Sequence, residues 1–221
     1  MSKIEWDASG DRLFETGVDH GVLYVQDTEG NYDTGVPWNG LTSVSSSPEG
    51  AEPTDLWADN IKYAVLRSAE TFGATIEAYT YPDEFAVCDG SVEVATGVYI
   101  GQQARRAFGF SYRTKVGSDT DTDASGEKIH IIYNATASPS ERAYETINDS
   151  PDAITFSWEI TTTPVNVTGH KPTAEFVIDV SKLSEAKKTA LENTLYGGQS
   201  SEPTLPDPDD LIALLSTTTT T

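Results

Sequence analysis

The segment 119–130 comes nearest to a metal site among the motifs of this sequence. Carboxylates stand at Asp119, Asp121 and Asp123, and carboxylates at alternate positions suit calcium. The loop of the helix–loop–helix calcium site also requires a glycine at its sixth position and a glutamate at its twelfth. Ala124 and His130 occupy those positions here. We therefore predict a solvated loop tip and no metal site.

Cysteine and histidine supply the other residue types from which a catalytic or metal site could be built. Cys88 is the only cysteine, which excludes an intrachain disulfide and a zinc site made of several cysteines. The histidines, His20, His130 and His170, are far apart, and none has metal-ligand spacing from another. No nucleophile motif surrounds Cys88, and a lone cysteine is most often a small buried apolar residue.

Nucleotide-binding loops are also missing, since Gly97 and Gly101 fit neither glycine-rich phosphate-binding pattern. We therefore predict no catalytic residue, no cofactor-binding residue and no bound cofactor, and we do not expect an enzyme. A hydrolase that uses Cys88 or paired carboxylates is a weaker alternative. It would need a pocket in which several titrating groups converge, and nothing in the sequence predicts one.

The acidity of the chain limits its partners. Its 221 residues hold 35 acidic and 14 basic side chains, which gives a formal net charge of −21. Phosphates repel such a surface, so a conventional nucleic-acid-binding protein is excluded. Residues 1–60 hold 12 acids and 2 bases, whereas residues 61–120 hold 7 and 6. The nearly neutral middle of the chain is the expected structural centre, with acidic flanks around it.

Targeting segments are not evident. The first ten residues contain no basic region followed by an apolar run, so we expect no secretory signal. No stretch approaches the roughly 18 apolar residues that a membrane helix needs. Together with the single cysteine, these features predict a chain that is made in a reducing cytoplasm and has no membrane partner.

Alternation of apolar and polar residues predicts most of the fold. In the segment 154–160, large apolar residues alternate with Thr155, Ser157 and Glu159, as in a strand with one buried face. Alternation, or a β-branched and aromatic composition, marks the other expected strands, which are 22–26, 61–67, 75–81, 91–94, 108–112, 128–133 and 174–180. At least eight strands in one domain favour a mainly β fold of two packed antiparallel sheets, sandwich-like or barrel-like.

One flanking α-helix is expected at about residues 182–196. Ser181 can cap its N-terminus, and Gly197 can end it in the left-handed conformation. Residues 38–55 are rich in serine, glycine and proline, and we expect them to form a long loop.

The C-terminal segment differs in composition from the rest. We divide the chain into a domain of residues 1–198 and an acidic, extended arm of residues 199–221. The arm offers too little apolar surface to order itself, so neighbouring subunits are expected to hold it. Within it, the pattern of residues 206–215 suits either a strand or a helix.

Several long strings of residues point beyond the fold class. In order they are DNIKY (59–63), FGATIEAYTYPDEF (72–85), YIGQQ (99–103), FGFSYRT (108–114), TASPSE (136–141) and TFSWE (155–159). In this order and spacing they resemble the major tail proteins, or tail tube proteins, of the siphophages, the bacteriophages with long non-contractile tails. The resemblance covers roughly residues 1–180 and weakens through the helix and the C-terminal arm.

The resemblance implies a structural protein of the virion. Members of the family form hexameric rings that stack into a hollow tube, and viral DNA passes through the tube into the host cell without specific binding. Their sheets join around the lumen, and a long loop and terminal arms reach the next ring. The implied partners are further copies of the chain and other tail proteins, namely the tape measure, tail tip and tail terminator proteins.

Three apolar residues around the expected loop are candidates for contact between rings: Trp38, Leu56 and Trp57. Exposed aromatic side chains in a polar arm are typical interface anchors. The alternative is that they belong to the core of their own subunit. A monomeric β-sandwich binding module, such as a carbohydrate-binding or adhesion domain, is the main alternative function, because it would also explain the strands and the aromatic content.

Overall fold

The computed structural model describes residues 4–50, 52–120, 126–147, 149 and 152–216. Within these residues the chain forms strands, two α-helices and two short 3-10 helices. The strands are β1 (Leu13–Val25), β2 (Val36–Trp38), β3 (Leu41–Ser46), β4 (Glu49–Gly50), β5 (Pro53–Ala58), β6 (Ile61–Arg67), β7 (Glu70–Thr71), β8 (Gly73–Ala78), β9 (Val92–Ala95), β10 (Val98–Ile100), β11 (Phe108–Ser118), β12 (Gly126–Ala137), β13 (Phe156–Thr162) and β14 (Glu175–Asp179). The helices are the 3-10 turns Asp83–Val87 and Val180–Lys182, α1 (Glu185–Tyr196) and α2 (Pro208–Ser216).

Eight of the strands form one antiparallel sheet. Its order is β2-β1-β11-β12-β13-β8-β3, and β14 pairs with another part of β12. The sheet curls until β3 approaches β1, where the Cα of Gly21 lies against the side chain of Leu41. A Cβ on Gly21 would stand 2.4 Å from Leu41 Cδ1, so a larger residue here would force the Leu41 side chain to move. The order of strands does not close on itself within the described residues, so the curled sheet stays open.

The first core lies inside the curl and is centred on Trp38. Its ring contacts the rings of Phe85, Phe110 and Trp158 at centroid distances of 4.6, 5.4 and 5.4 Å. Tilted and edge-on packing of this kind adds to the free energy gained from burying the rings. Because β2, β11 and β13 each contribute one of these rings, the cluster fixes one half of the sheet against the other.

The second core lies on the opposite face of β1 and β12, beneath the two helices. Leu191 and Leu195 of α1 and Leu211 of α2 are fully buried there. Two tyrosine hydroxyls of the sheet donate to the covering chain: Tyr24 to the carbonyl of Leu195 at 2.7 Å, and Tyr133 to that of Pro206 at 3.0 Å. Both faces of the central strands are therefore covered.

The predicted fold class is confirmed: the chain is mainly antiparallel β with an α-helix packed on the sheet. Each expected strand overlaps an observed one, and α1 lies within the expected helix. The long loop expected at residues 38–55 is wrong, because this region contains β3, β4 and the start of β5. The composition argument failed because of the serines: in β3 they stand beside Leu41 and Val44, which pack against the core.

The C-terminal segment also differs from the expectation. Its described part, residues 199–216, packs on its own subunit through Leu205 and Leu211, and residues 208–216 are a helix. Asp209 accepts hydrogen bonds from the backbone N–H and the hydroxyl of Thr168, at 2.9 and 2.6 Å. A few apolar residues are enough to order this acidic segment, because they enter a core that the sheet and α1 already form.

Candidate interaction surfaces

The β5–β6 hairpin is a two-stranded sheet separate from the main one. Its turn has Asp59 and Asn60 at the two central positions, with φ of 52° and 61°. Positive φ at both positions defines a type I′ turn, whose twist matches that of the flanking strands, and asparagine and aspartate tolerate this conformation. The sequence therefore forms a tight, well-defined hairpin at this place.

Large apolar side chains are exposed along this hairpin. Trp57 exposes 67% of its surface and Tyr63 exposes 72%. The other members of the set are Leu56, Ile61, Val65 and Leu66. Single exposed apolar residues are ordinary, but a contiguous exposed patch on a soluble chain marks a surface that binds something.

The strand pairing assigns these residues to two faces. Leu56 is opposite Ala64, Trp57 is opposite Lys62, and a bulge at Tyr63 separates the two pairs. Since paired residues share a face and successive residues of β5 alternate, Leu56 and Trp57 lie on opposite faces. An ion pair between Lys62 Nζ and Asp55 Oδ1, 2.7 Å long, places Asp55 on the face of Trp57 and confirms the assignment.

The two faces differ in chemistry. One carries Leu56, Ile61 and Leu66 and holds no charged side chain. We call it the aliphatic face. The opposite face, which we call the mixed face, carries Trp57 and Val65 together with the Asp55–Lys62 pair and Arg67.

The β9–β10 hairpin is a second exposed apolar element. Val94, Val98, Tyr99 and Ile100 are all at least partly accessible on it. Backbone hydrogen bonds hold its base, from Ser91 N–H to Ala86 O at 2.8 Å and from Gln103 N–H to Gly90 O at 2.9 Å.

The three candidate contact residues are not alike. Trp38 is 2% exposed, and its Nε1 donates to the carbonyl of Thr80 at 2.9 Å, so its ring belongs to the core of its own subunit. Leu56 and Trp57 are exposed on the hairpin. Contact between rings stays a prediction for these two residues, while Trp38 has no surface to offer.

Reasoning from the sequence missed the rest of the hairpin surface. Ile61, Tyr63, Val65 and Leu66 lie in a strand that was predicted, but their exposure was not. A signal was present: the Asp-Asn pair at 59–60 between two apolar runs is a hairpin signature. A hairpin formed from β5 and β6 alone has no third layer to cover it.

The candidate catalytic residues occupy separate and unreactive environments. Burial raises the pKa of the Cys88 thiol to about 12, so it is protonated at neutral pH and a poor nucleophile. The ring of His130 stacks on Tyr112 at a centroid distance of 4.6 Å, and burial lowers the pKa of the imidazole. Asp19, beside His20, is bound by Arg113.

Metal ligands are not clustered in the part of the chain that the structure describes, where no group of three or more His, Cys, Asp or Glu residues could hold an ion. Of the alternating carboxylates, Asp121 and Asp123 lie outside the described residues. No described helix is long and apolar enough to cross a membrane.

A groove of about 470 Å³ lies between β1, β2 and the end of α1, lined by residues that include His20, Val22, Trp38 and Tyr196. Its walls are largely apolar, and burial raises the pKa of Tyr196 to about 12. The groove offers space for a small ligand.

Comparison with known proteins gives structural similarities only. No protein-family model and no curated protein matches the chain. Among solved structures, it is similar to the tube-terminating cap of an anti-feeding prophage, at a TM-score of 0.37 and 8% identity over 81% of this chain and 96% of that one.

Two further similar structures come from an extracellular contractile injection system in its extended state. One is a sheath–tube complex (TM-score 0.31, 10% identity, 72% of this chain and 88% of that one). The other is a sheath/tube terminator (TM-score 0.32, 12% identity, 80% and 99%). These TM-scores are low, and we infer no function from them. Both of these structures belong to a contractile system, whereas the sequence strings resemble the non-contractile family.

Proposed function

We propose that the chain is a structural, non-catalytic subunit of a phage tail tube. Copies form hexameric rings, the rings stack, and viral DNA passes through the bore without specific binding. The sequence strings between residues 59 and 159 support the tail tube assignment. The observation that best supports self-assembly is the exposure of large apolar side chains on both faces of the β5–β6 hairpin.

Open sheet edges support assembly into a ring. Within the described residues, β3 at one end of the sheet pairs on one side only, and so does β14. An edge strand has unpaired N–H and C=O groups, and joining edges around a ring satisfies them. Cyclic association closes a ring, and head-to-tail contact between rings gives an open filament.

The charge suits a conduit for DNA. Six copies would carry a formal net charge of about −126. Carboxylates on the wall of the bore repel phosphates, so DNA would find no binding site there. The tape measure, tail tip and tail terminator proteins are the further partners that we propose, and the virion is the proposed location of the assembled protein.

Size-exclusion chromatography followed by electron microscopy tests this proposal. We expect hollow rings or tubes in the high-mass fractions as concentration rises. A binding module that uses the groove beside His20 and Tyr196 would instead give uniform particles of 23.8 kDa at every concentration. That result would contradict the proposal.

A further inference from the structure

We propose that the groove between β1, β2 and the end of α1 is a binding site for a small, uncharged aromatic compound that carries a hydroxyl group. The site lies within one subunit, so it goes beyond the proposed tail tube function and does not depend on assembly. Its volume of about 470 Å³ falls within the roughly 300–1,000 Å³ that is usual for small-molecule sites.

The groove is built by parts of the chain that are distant in sequence. His20 comes from β1, Pro37 from β2, Tyr196 ends α1, and Pro203 follows that helix. The backbone N–H of Gly35, which also lines the groove, donates to the carbonyl of Pro203 at 2.8 Å. This bond holds the segment after α1 against the segment before β2, so the walls are already in place in the unbound subunit.

The hydroxyl of Tyr196 supplies the first polar contact for a ligand. Its oxygen is buried, yet it has no hydrogen-bond partner among the described residues. Buried polar atoms almost always have a partner, because an unpaired one loses the hydrogen bonds that it made to water. Since Tyr196 lines the groove, a ligand in the groove can provide the missing partner.

The imidazole of His20 supplies the second polar contact. The φ of His20 is 52°, in the left-handed region that residues other than glycine rarely adopt, and the pairing of β1 with β11 shifts on both sides of Asp19. Irregular strands of this kind redirect side chains at functional sites. His20 Nδ1 lies 3.0 Å from Asp19 Oδ1. Because a carboxylate only accepts, Nδ1 of the neutral ring carries the proton and Nε2 is left as an acceptor.

These two contacts define the polar group of the ligand. The rings of His20 and Tyr196 lie beside each other, with their centroids 5.9 Å apart. A hydroxyl both donates and accepts, so a single one can donate to His20 Nε2 and accept from the hydroxyl of Tyr196.

The walls define the rest of the ligand. Val22, Pro37 and Pro203 are apolar and suit a flat aromatic body. No described residue that lines the groove carries a permanent charge, so an ionised ligand would lose its hydration without gaining a partner. An anion would also be repelled by the net charge of −21.

Titration of isotope-labelled, unassembled subunits with 2-naphthol, followed through the amide NMR signals, tests the site. We expect the signals of Gly21 and Gly35 to shift and to saturate with a Kd below about 1 mM. The signal of Gly97, which does not line the groove, should not move. Naphthalene-2-sulfonate, which has a charged group in place of the hydroxyl, should not bind. No saturable shift with 2-naphthol, or equal binding of the sulfonate, would overturn the inference and leave the tail tube proposal untouched.

Tyr196→Phe tests the role of the unpaired hydroxyl. This variant should bind 2-naphthol roughly three- to tenfold more weakly, because one hydrogen bond to the ligand is lost. Tyr63→Phe is the matched control, since Tyr63 is 72% exposed and lies outside the groove, and its affinity should not change. Without ligand, the urea midpoint of Tyr196→Phe should not fall, because no bond within the subunit is removed. An unchanged affinity of Tyr196→Phe, or a lower midpoint, would contradict the inference.

Discussion

Arg142 and Asp89 form an ion pair in which the guanidinium also lies over two aromatic rings. Its carbon is 5.4 Å from the ring centre of Tyr81 and 5.7 Å from that of Phe156. The side chain of Asp89 is almost buried, and its pKa is raised by burial, an effect that the charge of Arg142 opposes. The pair fastens the irregular segment before β13 to the turn that follows the 3-10 helix Asp83–Val87.

Removal of the cation should destabilise the subunit. Arg142→Ala leaves a nearly buried carboxylate without its partner, and we expect a loss of about 2–4 kcal/mol in the free energy of unfolding. Urea denaturation followed by tryptophan fluorescence measures it. Arg12→Ala is the matched control, because Arg12 pairs with Asp7 in solvent. Equal effects of the two substitutions would contradict the account.

Ionisation of Asp19 should make the stability of the subunit depend on pH. Hydrogen bonds from the Arg113 side chain, 2.8 and 3.1 Å long, lower the pKa of this carboxyl below its ordinary value of 3.8. Since the folded state has the lower pKa, the stabilisation is complete above pH 3.8 and is lost as pH falls through the folded-state pKa.

Asp19→Asn should therefore be less stable than the unaltered chain at pH 6. Because Asp19 is about one-third exposed, we expect a difference of only about 1 kcal/mol. The difference should shrink steadily below pH 3.8. Urea midpoints collected from pH 6 to pH 2 provide the measurement, and a difference that is constant over this range would show that Asp19 does not act through its charge.

Substitution by alanine should have different effects at Trp38 and at Trp57. Trp38→Ala opens a cavity in the first core, with an expected cost of about 3–5 kcal/mol in the free energy of unfolding. Trp57→Ala removes an exposed side chain, and the subunit should change by less than about 0.5 kcal/mol. Only Trp57→Ala should combine normal subunit stability with impaired tube formation in electron micrographs. Normal tubes from this variant would remove Trp57 from the contact between subunits.

Helix α2 should contribute to the stability of a single subunit. The side chain of Leu211 in this helix is fully buried, so Leu211→Ala should lower the free energy of unfolding by about 2–4 kcal/mol. Ser216→Ala, at the exposed end of the same helix, is the control. Thermal unfolding of unassembled protein at low concentration measures both. An unchanged Leu211→Ala subunit would show that the segment is held by neighbours, as the composition of the chain suggested.

Local sequence patterns predicted many of the strands and the helix, because alternation and capping residues depend only on neighbours within one element. The alternation around Trp158 and the glycine after Tyr196 both predicted the observed structures. The role of Trp38 could not be predicted, because its burial depends on Phe85 and Trp158, which are distant in sequence. The same limit applies to Leu211, whose environment is made by a sheet and a helix that precede it.

The exposure of the three candidate contact residues could not be predicted from the sequence. Trp38, Leu56 and Trp57 have similar polarity and close positions, yet one is in the core and two are on opposite faces of a hairpin. Alternation along β5 puts Leu56 and Trp57 on opposite faces, and a bulge at Tyr63 shifts which residues of β6 share those faces. A single extra residue in one strand is not visible in the alternation of the other.

A three-dimensional reconstruction of the assembled protein by cryo-electron microscopy tests the central proposal most directly. The account predicts hollow tubes built from stacked six-fold rings, with sheet edges joined between subunits, carboxylates on the wall of the bore and Trp57 enclosed by another copy. A chain that stays a lone subunit at every concentration, or a bore lined mainly by lysine and arginine, would contradict it.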